Sequence, residues 1–158
     1  MTIQDVLDTL KPICEQNPWS HSKNEWVKNL SPVAKGKVGV DLFVSLYGGK
    51  PMSNNRSGYD IQCRGMKIES KLSTRSYTGS NCYLYNQIRP ADPYTHYWLV
   101  AVDLDTVRVF LLHRDDLPEA RLWKQHGGVD EANPNTFQLK TSNQEIIPEW
   151  LEKFEVTL

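Results

Sequence analysis

Apolar residues recur at helical spacing in the first 50 positions and at strand spacing between about residues 58 and 112. Residues 3–16 place Val6, Leu7 and Leu10 on one stripe behind Thr2 as N-cap, in a helix disturbed at Pro12. Ser22-Lys-Asn-Glu25 has capping-box spacing and predicts a short helix to about Leu30. Ser31-Pro32 supplies an N-cap and a first-turn proline for a third helix, which Gly48-Gly49 ends. Residues 50–57 are polar and turn-rich, as a loop requires.

The strand pattern begins with a hairpin, near 58–63 and 66–73, turning at Arg64-Gly65. Residues 74–83 are polar and carry no assignable period, and Arg89-Pro90-Ala-Asp-Pro93 is a break. Residues 97–102 and 107–112 are β-rich and read as central strands joined around Asp103–Thr106. A short helix is predicted from Arg114 to Lys124, an edge strand at Phe137–Leu139 and a closing helix from Pro148 to Phe154. Helices, then a mixed sheet, then a helix give an α/β class. With no repeat or linker, the 158 residues read as a single domain, a mixed central sheet flanked by helices.

The hairpin is where chemistry concentrates. A two-residue turn at 64–65 makes cross-strand partners sum to 129, so Ile61 meets Ile68 on the core face and Asp60 faces Glu69 on the other. Lys71 shares the Glu69 face by alternation. Opposed carboxylates destabilise a sheet. A divalent cation reverses that sign, and hard oxygen donors suit Mg²⁺.

Charge sharpens the picture. The net charge is −1, yet residues 35–89 hold nine Lys/Arg against three acids, and the positive segment contains the hairpin. Cys14, Cys63 and Cys82 are odd in number with no CxxC spacing, and Cys63 falls in phase with Ile61 as a buried thiol. No apolar run reaches the ~18–20 residues of a membrane span, and the N-terminus lacks signal-peptide features. A cytoplasmic protein with no membrane partner is expected. His21, His96, His113 and His126 have no metal-ligand spacing, and GxSxG, P-loop and dinucleotide fingerprints are absent. The five tryptophans read as core or helix-packing anchors, with a base-stacking platform as the sharper alternative.

Asp60, followed after eight residues by Glu69-Ser-Lys71, resembles the D…(D/E)xK signature of the restriction-endonuclease-like, PD-(D/E)xK nucleases. Lys35-Gly36-Lys-Val38-Gly39 is similar to the KGxVG stretch of MutH-like enzymes, and Gln87-Ile-Arg89 and Gln125-His-Gly-Gly128 look like restriction-type members. The resemblance covers roughly residues 32–112. It departs at Phe43, where MutH-like enzymes carry a helix glutamate. Asp41 lies about 200° from that position around a helix, too far to substitute simply.

The resemblance implies a restriction-endonuclease-like fold and Mg²⁺-dependent hydrolysis of DNA phosphodiesters, with Mn²⁺ able to substitute. Asp60, Glu69 and the Ser70 carbonyl would hold the ion, and Lys71 would complete the catalytic set. Lys35, Lys37, Arg75, Gln87 and Arg89 are the phosphate- or DNA-binding candidates. Double-stranded DNA is the expected partner, in restriction or repair, and cutting both strands calls for a homodimer. Two alternatives stand beside this reading. One is a catalytically inactive DNA-binding or assembly module on the same fold; the other is a nuclease specific for junctions or flaps.

Overall fold

The computed structural model describes residues 1–15, 17–53, 58–124 and 136–158, without the side chains of residues 12–15. The Cys14 thiol, Arg56 and the Gln125–Gly128 stretch with His126 lie outside the described residues.

Three helices come first. α1 (Ile3–Glu15) starts with Thr2 and Asp5 capping each other: Asp5 N–H donates to Thr2 Oγ1 at 3.1 Å, and Thr2 N–H donates to Asp5 Oδ2 at 2.7 Å. Its apolar stripe faces no core, since Val6, Leu7 and Leu10 are 47–57% exposed. α2 (Glu25–Lys28) does not use the expected capping box. Ser22 Oγ donates to Trp19 O, and the helix is tied instead by Asn24, whose amide donates to the carbonyls of Asp103 and Thr106. α3 (Pro32–Tyr47) follows its sequence signals, with Ser31 Oγ accepting the Ala34 N–H and Gly48 at φ 75° ending the helix.

The central sheet is mixed, in the order β1 (Lys50–Pro51), β2 (Ile61–Cys63), β3 (Met66–Thr74), β5 (His96–Val102), β6 (Val107–His113). β3 and β5 run parallel and the other neighbours antiparallel. β5 is central as expected. β6 is instead the last strand, its outer edge bonded by residues 154–156 through Leu111 N–H to Phe154 O and Val156 N–H to Val109 O. A second sheet has the order β4 (Asn81–Ile88), β8 (Phe137–Ser142), β7 (Leu122–Lys124). The polar 74–83 stretch hid the start of β4. The expected edge strand, β8, is the middle of this second sheet. The predicted 114–124 helix is two 3₁₀ turns, Arg114–Asp116 and Glu119–Arg121, running into β7. The closing helix shrinks to α4 (Glu149–Glu152).

Alternation along β3 and β5 divides the core. Ile68, Trp98, Val100 and Val102 pack towards α3, where Phe43 meets Trp98 edge to face at 5.2 Å. Tyr97, Leu99 and Ala101 pack against the second sheet and α4. The result is a small α/β domain with a mixed sheet flanked by helices. Trp19 and Trp98 are core anchors as expected, whereas Trp26 and Trp123 lie exposed on the surface. Cys63 and Cys82 are buried free thiols. Among the described residues, no helix is long and apolar enough to cross a membrane.

Candidate functional site

Arg64 and Gly65 both take left-handed conformations, φ 50° and 83°, which makes the hairpin connection a two-residue turn matched to strand twist. Register follows the 129 sum through Ile61↔Ile68, Gln62↔Lys67 and Cys63↔Met66, and stops there. Asp60 N–H donates to Ile68 O at 2.8 Å, one residue out of step with that ladder. The direct Asp60–Glu69 cross-strand pair is therefore not formed. The Asp60 carboxylate turns along β3, and its Oδ2 accepts the Ser70 N–H at 2.8 Å.

Glu69 and Lys71 share a face, as alternation requires, and their side chains meet at 3.0 Å while 15% and 17% exposed. Ser70 points the other way, beneath α3, where a Cβ on Gly39 would lie 2.9 Å from its Oγ. That close approach is why glycine stands at position 39. In an extended strand the N–H and C=O of one residue point to the same side. The Ser70 carbonyl thus shares the Asp60 side of β3, beyond the end of β2.

Asp60, Glu69 and Lys71 line a cavity of about 550 Å³ together with Lys37, Gln87 and Arg89. α3 presents positions 36, 37, 40 and 41 to this cavity and buries Gly39 and Phe43 towards the sheet. Asp41, set aside in the sequence reasoning, is therefore the helix acid on the cavity wall, paired with Lys37 at 2.7 Å. Position 43, where the glutamate was sought, belongs to the core.

Two candidates fall elsewhere. Lys35 is absent from the cavity wall; burial, and then the charge of Lys28, lower its pKa. Arg75 lies past the end of β3, about 20 Å of strand beyond Glu69. It pairs there with Asp103 at 2.8 Å and stacks on Tyr77. Gln87 and Arg89 do reach the site. Gln87 sits at φ 55° where β4 loses register, and Arg89 Nε is buried without a hydrogen-bond partner.

The loop from residue 89 to 95 adds a residue that the sequence reading treated only as part of a break. Asp92 lines the cavity, and its charge is felt by Glu69. Arg114 holds this loop, donating to the carbonyls of Pro90, Asp92 and Tyr94 and stacking on the Tyr94 ring. Tyr94 in turn bonds the hydroxyl of Tyr97, the β5 neighbour of Glu69. Gly58 closes the opposite side: a Cβ there would stand 2.6 Å from Pro93 Cδ.

Burial raises the Glu69 pKa to about 7, with Lys71 opposing and Asp60 and Asp92 reinforcing the shift. Burial also raises Asp60, against the Ser70 N–H and Lys71. For both carboxylates the loss of solvation outweighs the nearby Lys71 charge. Among the described residues, no group of three or more His, Cys, Asp or Glu is arranged as a ready-made metal cluster. Mg²⁺ commonly binds through one or two carboxylates, keeping waters or substrate phosphates. Two half-buried carboxylates lining one cavity with Ser70 fit such an ion by their chemistry. A scan against protein-family models finds no match for this chain, and no curated protein matches it.

Proposed function

We propose that this protein is a metal-dependent deoxyribonuclease that hydrolyses DNA phosphodiester bonds. The observation that carries the reading is the convergence of Asp60, Glu69 and Lys71 on one cavity also lined by Lys37, Gln87 and Arg89. Acids alone would suit a cation store, and bases alone a phosphate site. Both together suit a cation and a phosphate held at once.

Asp60, Glu69 and the Ser70 carbonyl would hold Mg²⁺. Once bound, the ion supplies Lewis-acid polarisation of the phosphate and lowers the pKa of water. Lys71 donates a hydrogen bond to the attacking water and offsets the charge that grows on the phosphate oxygens. Arg89, with its buried unpartnered Nε, and Gln87 bind and orient the phosphate. Glu69 must lose its proton before it serves as a ligand, so its raised pKa couples the site to pH near neutrality. Among the described residues one cavity gathers these groups, so a single copy would nick a duplex and cutting both strands would require two copies.

Supercoiled plasmid incubated with Mg²⁺, Mn²⁺ or EDTA tests the proposal. Nicking or linearisation with either metal, blocked by EDTA and lost in Lys71→Ala, is the expected outcome. Binding without any cleavage would favour the inactive DNA-binding module, and cleavage confined to branched DNA the junction or flap nuclease.

A further inference from the structure

The outer face of the second sheet has a composition of its own. The strands β4, β7 and β8 carry two lysines, Lys124 and Lys140, and no carboxylate, and Glu145, which lines a pocket with Trp123 and Lys140, is paired with Arg121 at 3.2 Å. Alternation buries Leu139 and Thr141 and turns Gln138 and Lys140 outward. Register sets Trp123 beside Gln138. Trp123 is 59% exposed, and the Lys140 ammonium lies 5.5 Å from its ring centre. Gln138 Nε2 donates to Asn86 Oδ1 at 2.8 Å, which leaves both amides with further donors and acceptors to offer. An exposed indole beside a cation and a pair of amides matches a partner with flat rings, polar edges and negative charge. Nucleic acid has all three.

β4 joins this face to the cavity. Its register with β8 shifts between Tyr85 and Ile88, so Asn86 and Gln87 are exposed in succession instead of alternating. The irregularity sends Asn86 to Gln138 and Gln87 to the cavity wall. Bulges next to active sites re-aim side chains in this way.

We infer that this face is the read-out surface for the DNA strand whose phosphodiester sits in the cavity, an inference that rests on the nuclease reading above. Trp123 packs on a base or sugar, Lys140 meets a phosphate, and the Asn86–Gln138 pair addresses base edges. Strands in a sheet are about 4.8 Å apart, so Trp123 stands about 10 Å across the sheet from Asn86. That is roughly three nucleotides at about 3.4 Å each. The sequence determinants therefore lie within about five nucleotides of the cut, on one side of it.

The test measures binding of a labelled DNA duplex in EDTA, and maps cut sites on plasmid DNA with Mg²⁺, for wild type and variants of unchanged melting temperature. Trp123→Ala is expected to weaken binding roughly tenfold, with Trp123→Phe recovering most of it. Lys140→Gln should lower the slope of log affinity against log salt by about one. Gln138→Ala should change base preference within those five nucleotides. Should wild type cut DNA while all four variants bind and cut as it does, the face is not a read-out surface and the nuclease reading stands. Should wild type bind without cutting, and Trp123→Ala weaken that binding, the face is upheld and the nuclease reading falls. Absence of both binding and cutting overturns both.

Discussion

Asp60 answers to Ser70 and not to Glu69: its Oδ2 accepts the Ser70 N–H at 2.8 Å, although hairpin register alone would set the two carboxylates face to face. The one-residue slip at the start of β2 relieves the direct opposition of two half-buried acids. It also occupies one Asp60 oxygen and leaves Oδ1 for other partners. Glu69 is similarly half engaged, with Oε1 on Lys71.

That arrangement predicts how Asp60→Asn behaves. An amide oxygen can still accept the Ser70 N–H, so the fold should persist while the charge is gone. We expect cleavage to fall by on the order of 10²-fold or more, with little change in melting temperature, measured by plasmid nicking and thermal denaturation. Full activity in Asp60→Asn would remove Asp60 from the ligand set.

Stability of the metal-free protein should depend on pH through Glu69. Its folded pKa is about 7 against an ordinary value of 4.5. Between those values the native state holds a proton that the unfolded chain has lost, so stability falls as pH rises from about 4.5 to 7 and levels off above. Glu69→Gln should flatten this part of the profile. Divalent cation should restore stability above pH 7 in wild type alone, and should release a proton on binding near neutrality. Urea denaturation across pH, and calorimetry in buffers of different ionisation enthalpy, read the two effects. Identical profiles for wild type and Glu69→Gln would refute the assignment.

Gly58→Ala tests how the two loops close the cavity. The residue sits at φ 72°, and its Cβ would meet Pro93 Cδ at 2.6 Å, a rigid ring with no easy retreat. We expect a loss of roughly 1–3 kcal/mol together with reduced cleavage, because Asp60 lies two residues on. A melting temperature equal to wild type would show that the loops separate at little cost.

Gly39 and Ser70 should couple. A methyl at position 39 would lie 2.9 Å from Ser70 Oγ, and that hydroxyl is buried without a partner. Ser70→Ala alone should be neutral or mildly stabilising, since it removes an unsatisfied polar group. Gly39→Ala alone should cost about 1 kcal/mol, much of it recovered in the double variant. Additive energies in the double-mutant cycle would place the strain elsewhere.

Much of this was legible where local chemistry decides. Ser31-Pro32 and Gly48 bound α3 by capping, and Arg64-Gly65 fixed the hairpin register through turn geometry. Glu69 and Lys71 share a face because alternation has no exceptions within a regular strand. What escaped depends on neighbours distant in sequence. The polar stretch 74–83 runs into the start of β4, and the bulge that exposes Asn86 and Gln87 in succession breaks its alternation. Lys35 and Lys37 are two positions apart on a helix, so only one can face the cavity, and sequence does not say which. Asp41 lies about 200° around the helix from position 43, and because Phe43 packs on Trp98 in the core, it is Asp41 that reaches the cavity. Asp92 depends on Arg114, twenty-two residues away, which gathers the loop that carries it.

Single-turnover cleavage of an end-labelled DNA duplex, wild type against Glu69→Gln, with Mg²⁺ and with EDTA, decides whether Glu69 belongs to a metal-dependent nuclease site. We expect metal-dependent cleavage by wild type whose rate rises with pH through about 7, and loss of that activity by on the order of 10³-fold in Glu69→Gln. Cleavage that survives EDTA, or that Glu69→Gln performs at the wild-type rate, would contradict it.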